Sequence, residues 1–252
     1  MNANVSKSMN EQISQQELQY LITVSTGFID AYIIECHDLV AQKEQKQLEE
    51  SLQQQYFDRI RQHIEKLHHH HHTLDANTGK KVSFGVVRVA NIPPCVALTQ
   101  FLLNAEWSEK IAPRAMAYHS RQILLLRSEQ EYHLDAVLKR KEKQGEQPIA
   151  FSNEDIRRHL DSTDREHVIF ILVATPVEEV GRDHDFDWAI VEPSSYRSII
   201  QLAGRVLRHR HLEKDIAQPN IGLLQYNLKG LRGAKVAFEK PGFEINNDKF
   251  KL

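Results

Sequence analysis

The chain has 252 residues, 41% of them apolar, with 32 basic against 34 acidic side chains and a formal charge of −2. This supplies core material for one large domain, or one domain with an appendage. The near-cancelled charge excludes a uniformly cationic nucleic-acid binder and leaves room for a local basic patch. Cys36 and Cys95 stand far apart without ligand spacing, which excludes a disulfide framework and a zinc site and points to a reducing compartment. The N-terminus has no apolar h-region and no run of about 18 apolar residues occurs, so neither a secretory signal nor a membrane span is expected. The expected location is cytoplasmic.

Residues 1–15 are polar and expected to fray. From Gln16 to Val40 apolar residues recur at three- and four-residue steps, which predicts a helix, weakened by about 1 kcal/mol at Gly27. A second helix is predicted from Lys43 to Leu67, with Leu48, Leu52, Tyr56, Ile60 and Ile64 on one face and a glutamine-rich outer face. His68 to His72 are five consecutive histidines. Imidazoles bind metals well, but no acid or cysteine completes a coordination sphere, so a solvated linker is expected and no metal ligand is assigned. Residues 1–72 thus read as a helical appendage with a His-rich linker.

From residue 73 strands alternate with helices, which predicts an α/β fold with a parallel sheet and right-handed crossovers. Val82 to Ala90 reads as a strand ended by Asn91-Ile92-Pro93-Pro94, and Val96 to Leu103 as a buried helix. Ala115 to Tyr118 reads as a strand delivering His119, Ser120 and Arg121 at its C-terminal end, the edge where ligands sit in open α/β sheets. Hydroxyl, imidazole and guanidinium groups together can hold a phosphate; Ser120 is equally suited to cap a helix. Ser128 to Lys143 reads as an amphipathic helix. Ser152-Asn153-Glu154-Asp155 reads as the cap of a short helix from Ile156 to Leu160.

Val168 to Ala174 is an unbroken apolar run of the kind a fully buried parallel strand requires. Thr175-Pro176 ends it, and Glu179, Gly181 and Asp183 follow in a turn-rich segment. Trp188 to Val191 reads as another strand. Pro193-Ser194-Ser195 starts a helix, with Ser as N-cap, expected to carry Gln201, Gly204, Arg205 and Arg208. Arg205 and Arg208, at i and i+3, would then share one face, where guanidinium forks match phosphate oxygens. Gly204 would let that face approach closely. A basic, solvated helix end explains the same spacing. Ile221 to Tyr226 is a last strand, and residues 227–252 read as a tail or a connection to a further domain. The lobe itself is expected over 73–226.

Thr175-x-x-x-Glu179-x-Gly181-x-Asp183 followed by Gln201-x-x-Gly204-Arg205-x-x-Arg208 resembles motifs V and VI of the superfamily 2 helicases, which lie in the second of two RecA-like lobes. Together SFGVVRVANIPPCVALTQFLL, AMAYHSRQ, VATPVEEVGRDHDFDWAIVEPSS and QLAGRVLRHR resemble the helicase–nuclease of type I-F CRISPR systems, from roughly Val82 to Tyr226. The resemblance implies a RecA-like sheet, with Arg205 and Arg208 at the γ-phosphate of ATP and Gln201, Gly204, Gly181 and Asp183 around the nucleotide. It further implies that Thr175, Asn91, His119 and Ser120 grip the backbone of single-stranded DNA. Asn91 is also a plausible turn residue bonding its own backbone.

No phosphate-binding G-x-x-x-x-G-K-[ST] loop occurs in these residues, nor an Asp-Glu pair ending a strand, the usual magnesium site. The family's nuclease motif is also missing, since His184-Asp185 falls inside the motif V turn. The resemblance therefore implies a first lobe and a nuclease domain elsewhere, with magnesium held by that first lobe, and recruitment by a guide-RNA surveillance complex. An orphan, non-catalytic binding or interaction module is the alternative.

Overall fold

An apolar run with no polar position has one stable home, a strand covered on both faces. The computed structural model describes residues 31–34, 49–143, 145–179, 181–210 and 216–233. In it Val168–Ala174 lies within β5 (His167–Ala174), between the parallel strands β3 (Lys81–Arg88) and β4 (Ile111–Tyr118). Beyond β3 come β6 (Trp188–Val191), β7 (Ile221–Leu224) and β1 (Ala31–Ile34), each parallel to its neighbour. The order across the sheet is β1-β7-β6-β3-β5-β4, and β2 (Thr73–Leu74) pairs antiparallel with the start of β3.

The strand period of two sends alternate residues of β5 to opposite faces. Val168, Leu172 and Ala174 join a core with α3 (Leu124–Leu138), α4 (Glu154–Asp161) and α5 (Tyr196–Ala203). Ile169, Ile171 and Val173 join a second core with α1 (Glu49–His70), α2 (Ile92–Asn104) and the short α6 (Leu228–Leu231). This is the RecA-like parallel sheet flanked by helices that the sequence leads one to expect. Among the described residues no helix is long and apolar enough to cross a membrane.

Several boundaries differ from expectation. Ala31–Ile34, predicted helical, is a strand, because pairing with Ile221–Leu224 outweighs a three-to-four periodicity; the rest of the helix expected over 16–40 lies outside the described residues. In its described part helix α1 packs on the sheet: Tyr56, Ile60 and Ile64 are buried in the second core. Strand β4 starts at Ile111 rather than Ala115 and tolerates Pro113 because it is the edge strand. Helix α3 starts at Leu124 with Ile123 at the cap position, so Ser120 does not cap it. The Asn153 cap of α4 is as expected, its Oδ1 accepting from the N–H groups of Asp155 and Ile156.

The histidine run, expected as a solvated linker, is so only in part: His69 and His70 are exposed. His68–His70 complete α1, and His68 is buried. Trp188 Nε1, a donor only, donates to Ser83 Oγ at 3.0 Å. The buried Ser83 hydroxyl then directs its own proton to His68 Nδ1 at 2.7 Å. His68 Nε2 is left to donate to His167 Nδ1 at 2.9 Å. The relay needs a neutral His68. Burial first, then the neighbouring His167 and His72, pull its pKa from 6.5 down to about 3. At Gly85, an added Cβ would lie 2.1 Å from Trp188 Cζ2, so only glycine leaves room for the ring that starts the relay.

Two predictions follow from this end of the sheet. The unfolded chain takes up a proton at His68 near pH 6.5 that the folded chain refuses until about 3, so stability present above pH 6.5 is lost progressively across that window. Urea midpoints at a series of pH values measure the slope, which flattens in His68→Gln. Gly85→Ala lowers stability by about 1–3 kcal/mol or more through overpacking, read from the same unfolding curves.

Candidate functional site

In register across the sheet, Arg88 of β3 pairs with Ala174 of β5, which pairs with Tyr118 of β4. The residues that follow these positions therefore emerge side by side at the C-terminal edge. Val89 N–H donates to Ala174 O at 2.9 Å, and Thr175 N–H to Tyr118 O at 3.1 Å. This brings Asn91, Thr175 and the pair His119-Ser120 into one row over three adjacent strand ends. Asn91 occupies the N-cap position of α2, yet its side chain makes no cap hydrogen bond. Thr175 is buried, Ser120 exposed, and His119 half-buried with a buried Nδ1 that has no partner among the described residues.

The second group surrounds the loop after β5. The segment Pro176–Glu179 makes one 3₁₀ turn. Gly181 has φ +68, a left-handed backbone that favours glycine. Asp183 accepts from His209 Nε2 at 2.8 Å and lies 3.4 Å from Arg208 Nε. Its carboxyl is held below the usual range, first by the His209 hydrogen bond and then by the charges of His209, Arg208 and Lys141.

The two arginines do not share a helix face. Helix α5, capped by Ser195 Oγ accepting from Ser198 N–H at 3.1 Å, ends at Ala203, with Gly204 at the C-cap. Turn bonds from Arg205 N–H to Leu202 O and from Val206 N–H to Ala203 O tighten the exit. The chain then pairs with Phe186, which donates to Arg205 O at 2.8 Å and accepts from Leu207 N–H at 3.0 Å. Leu207 takes φ +50 to make this turn. The bridge to Phe186 thus overrides the helical spacing. Nor does Gly204 serve a close approach within this chain, since an added Cβ meets only the carbonyl oxygens of Ile200 and Gln201, at 3.5 and 3.8 Å. Gln201 is half-buried on the last turn of α5.

The consequence is a division between the arginines. Arg205 is 5% exposed and gives Nη2 to Glu179 O at 2.9 Å and Nη1 to Arg182 O. Burial lowers its pKa, against the nearby carboxylates of Glu178, Asp183 and Glu179, but a guanidinium stays charged at any working pH. Its buried Nε has no partner among the described residues. Arg208 is 41% exposed, and among the described residues its ion-pair contact is the long one to Asp183. Chemically, the arrangement offers one ordered and one available guanidinium beside a glycine turn, next to a row of polar groups.

Residues the sequence reading passed over hold this edge together. Arg88 donates Nε to Glu179 Oε1 at 2.7 Å, with the two side chains 1% and 5% exposed. Asp187 accepts from Phe84 N–H at 2.7 Å, Arg140 at 2.8 Å and Arg210 at 2.6 Å. Burial pushes its carboxyl up, but the Arg140 and Arg210 charges outweigh that and hold it below the usual range. His184 lies 2.6 Å from Glu178 and 3.1 Å from Asp135, so His184-Asp185 is structural here. Glu131 accepts from Tyr118 Oη at 2.8 Å and pairs with Arg182 at 2.5 Å, tying the end of β4 to the loop after β5. A charged residue inside an apolar strand run, as in FGVVRVA, is the signal that marks Arg88 as buried and paired. Among the described residues no group of three or more His, Cys, Asp or Glu side chains is arranged to hold a metal ion.

Comparison with known proteins places this chain in a family. The family described as CRISPR-associated nuclease/helicase Cas3, C-terminal, matches residues 81–211, which span β3 to the arginine segment. The chain is 45% identical over 183 residues to the CRISPR-associated nuclease/helicase Cas3 subtype I-F/YPEST of Pectobacterium atrosepticum, covering 72% of this chain and 16% of that protein. It is 46% identical over 179 residues to the protein of the same description from Pseudomonas aeruginosa, covering 71% of this chain and 16% of that protein. The matched stretch thus spans about a sixth of the length of these relatives. The chain belongs to the family of the CRISPR-associated nuclease/helicase Cas3, C-terminal region.

Proposed function

We propose that this chain supplies the second RecA-like lobe of an ATP-dependent DNA helicase–nuclease of type I CRISPR antiviral defence, coupling ATP hydrolysis to translocation on single-stranded DNA. The observation that carries this reading is the adjacency at one sheet edge of Asn91, Thr175 and His119-Ser120 with the loop that holds Arg205 and Arg208. The lobe is built on residues 73–226, and β1, α1 and α6 pack into its sheet and core.

Bound ATP supplies the phosphoryl group transferred to water. The half-exposed guanidinium of Arg208 fits an anionic phosphate group. Arg208 neutralises charge at the γ-phosphate, and Arg205 orders the loop from Glu179 to Asp183 that, with Gln201 and Gly204, borders the nucleotide. Asn91, Thr175, His119 and Ser120 hold the DNA backbone, a grip with little sequence preference and marked salt dependence. The first lobe contributes the phosphate loop and the magnesium ligands, and a separate domain contributes the nuclease. The guide-RNA surveillance complex is the recruiting partner and the cytoplasm the setting. This chain by itself is inactive as an ATPase.

Arg208→Ala in the complete two-lobed protein should lower ATP turnover by about 10³–10⁵-fold, the range for an arginine finger, while DNA affinity and melting temperature stay near wild type. Near-normal turnover would sink the assignment. One sequence fact favours a second reading, the absence of a G-x-x-x-x-G-K loop in these residues. Were the chain an orphan binding module, calorimetric titration of the 252-residue protein would find weak ATP binding, and adding the first lobe would not produce turnover.

A further inference from the structure

Strand β3 carries an unusual passenger. Its last residue, Arg88, is an arginine in an otherwise apolar stretch, and its side chain is 1% exposed. A buried guanidinium is tolerated only where its donors are matched by acceptors. Arg88 has three, and they come from two different loops. Nε donates to Glu179 Oε1 at 2.7 Å, Nη1 to Glu192 O at 2.8 Å, and Nη2 to Ser194 Oγ.

Each partner belongs to a segment that carries a candidate functional group. Glu179 closes the turn that begins after Thr175, and its main-chain oxygen accepts from Arg205 Nη2 at 2.9 Å. Ser194 precedes Ser195, the N-cap of α5, whose far end leads to Arg205. Arg88 itself lies three residues before Asn91. The Glu192 carboxylate reinforces the same junction, accepting from Ala90 N–H at 2.5 Å and from Leu228 N–H at 2.7 Å. Burial pushes this carboxyl above its usual range, and these two hydrogen bonds, with the Arg88 charge, oppose that.

We propose that Arg88 is a positioning residue that couples the nucleic-acid row to the arginine segment. Its guanidinium ties the loops after β3, β5 and β6 into one body, so that a displacement at Asn91 or Thr175 is transmitted to Arg205. Resting on the helicase reading above, this adds a residue that touches neither DNA nor nucleotide. The chemistry selects arginine over lysine. Three partners in three directions match a planar fork, and an ammonium at the end of a flexible stem cannot engage them together. It also distinguishes coupling from bulk stability, because a buried ion pair is weak evidence for stability but a means of fixing one arrangement.

The test measures ATP turnover by the complete two-lobed protein with and without saturating oligo-dT, together with oligo-dT affinity by fluorescence anisotropy and melting temperature. Arg88→Lys should lower the DNA-stimulated turnover by a factor within about 5–150, the usual range for coupling between two sites. Unstimulated turnover and oligo-dT affinity should stay near wild type. Ser194→Ala, which removes one of the three acceptors, should lower stimulation by a smaller factor in a protein that folds normally. Equal loss of stimulated and unstimulated turnover in step with melting temperature would assign Arg88 a merely structural role and overturn the proposal, as would full stimulation in both variants. Should Arg88→Lys not fold, Ser194→Ala decides alone, and unchanged stimulation in it overturns the proposal. Arg208→Ala in the same assay separates the two levels. If it keeps turnover, the helicase reading fails; if it loses turnover while the Arg88 and Ser194 variants keep full stimulation, only the coupling role fails.

Discussion

Buried charge holds the C-terminal edge of this sheet. The pair between Arg88 and Glu179 sits where water cannot screen it. Such a pair costs much in desolvation, and a well-packed apolar substitute is often as stable. What an apolar substitute cannot do is specify direction. The fork of Arg88 demands an acceptor at each of three positions, and only one mutual placement of the loops provides them. The apolar alternation of β5 determines that a sheet forms, and the ionic hub determines where its loops stand.

A second web works at the start of β6. Asp187 gathers Phe84 N–H, Arg140 and Arg210, while Asp185 accepts from Arg210 Nη2 at 2.7 Å and from His209 N–H at 3.0 Å. These contacts anchor the segment after α5 at residues 209 and 210, while the bridge to Phe186 anchors it at 205 to 207. At the end of the first anchor, Leu207 is held at a positive φ that a leucine does not choose by itself. Strain of this kind persists where the surroundings over-determine a backbone, and here both ends are fixed by independent interactions.

Much of this architecture was legible in the sequence, for identifiable reasons. The β5 run was legible because its short length, β-branched residues and the Thr175-Pro176 stop favour a covered strand over a buried helix. The caps at Asn153 and Ser195 were legible because a side-chain acceptor and the free N–H groups of a first turn lie within three residues of each other. What was not legible depends on partners distant in sequence. Ala31–Ile34 is a strand because of Ile221–Leu224, and α5 ends at Ala203 because Phe186 pairs with the residues that follow. His68 is buried because Ser83 and His167, at separations of 15 and 99 residues, complete its hydrogen bonds. Of the candidate site, the row Asn91, Thr175, His119 and Ser120 is one that strand order makes adjacent. The roles of those residues rest on the resemblance; Arg88 was marked by its charge inside an apolar run, while Asp187 and Glu192 carried no motif to announce them.

The division between Arg205 and Arg208 bears on how such an edge can work. Read from spacing, the two arginines are equivalent. In the folded chain they are not, because one has both terminal nitrogens committed to main-chain oxygens and the other is half in water. A guanidinium bonded to carbonyls cannot leave them without stranding buried acceptors, so Arg205 is a fixture of the loop. Arg208 gives up only a long, solvent-screened contact with Asp183 when it turns elsewhere. The folded chain thus holds both kinds: a cation that keeps the frame still, and one whose present partner is easily replaced. Asp183, a half-exposed carboxylate, is that partner, and it also accepts from His209 Nε2 at 2.8 Å.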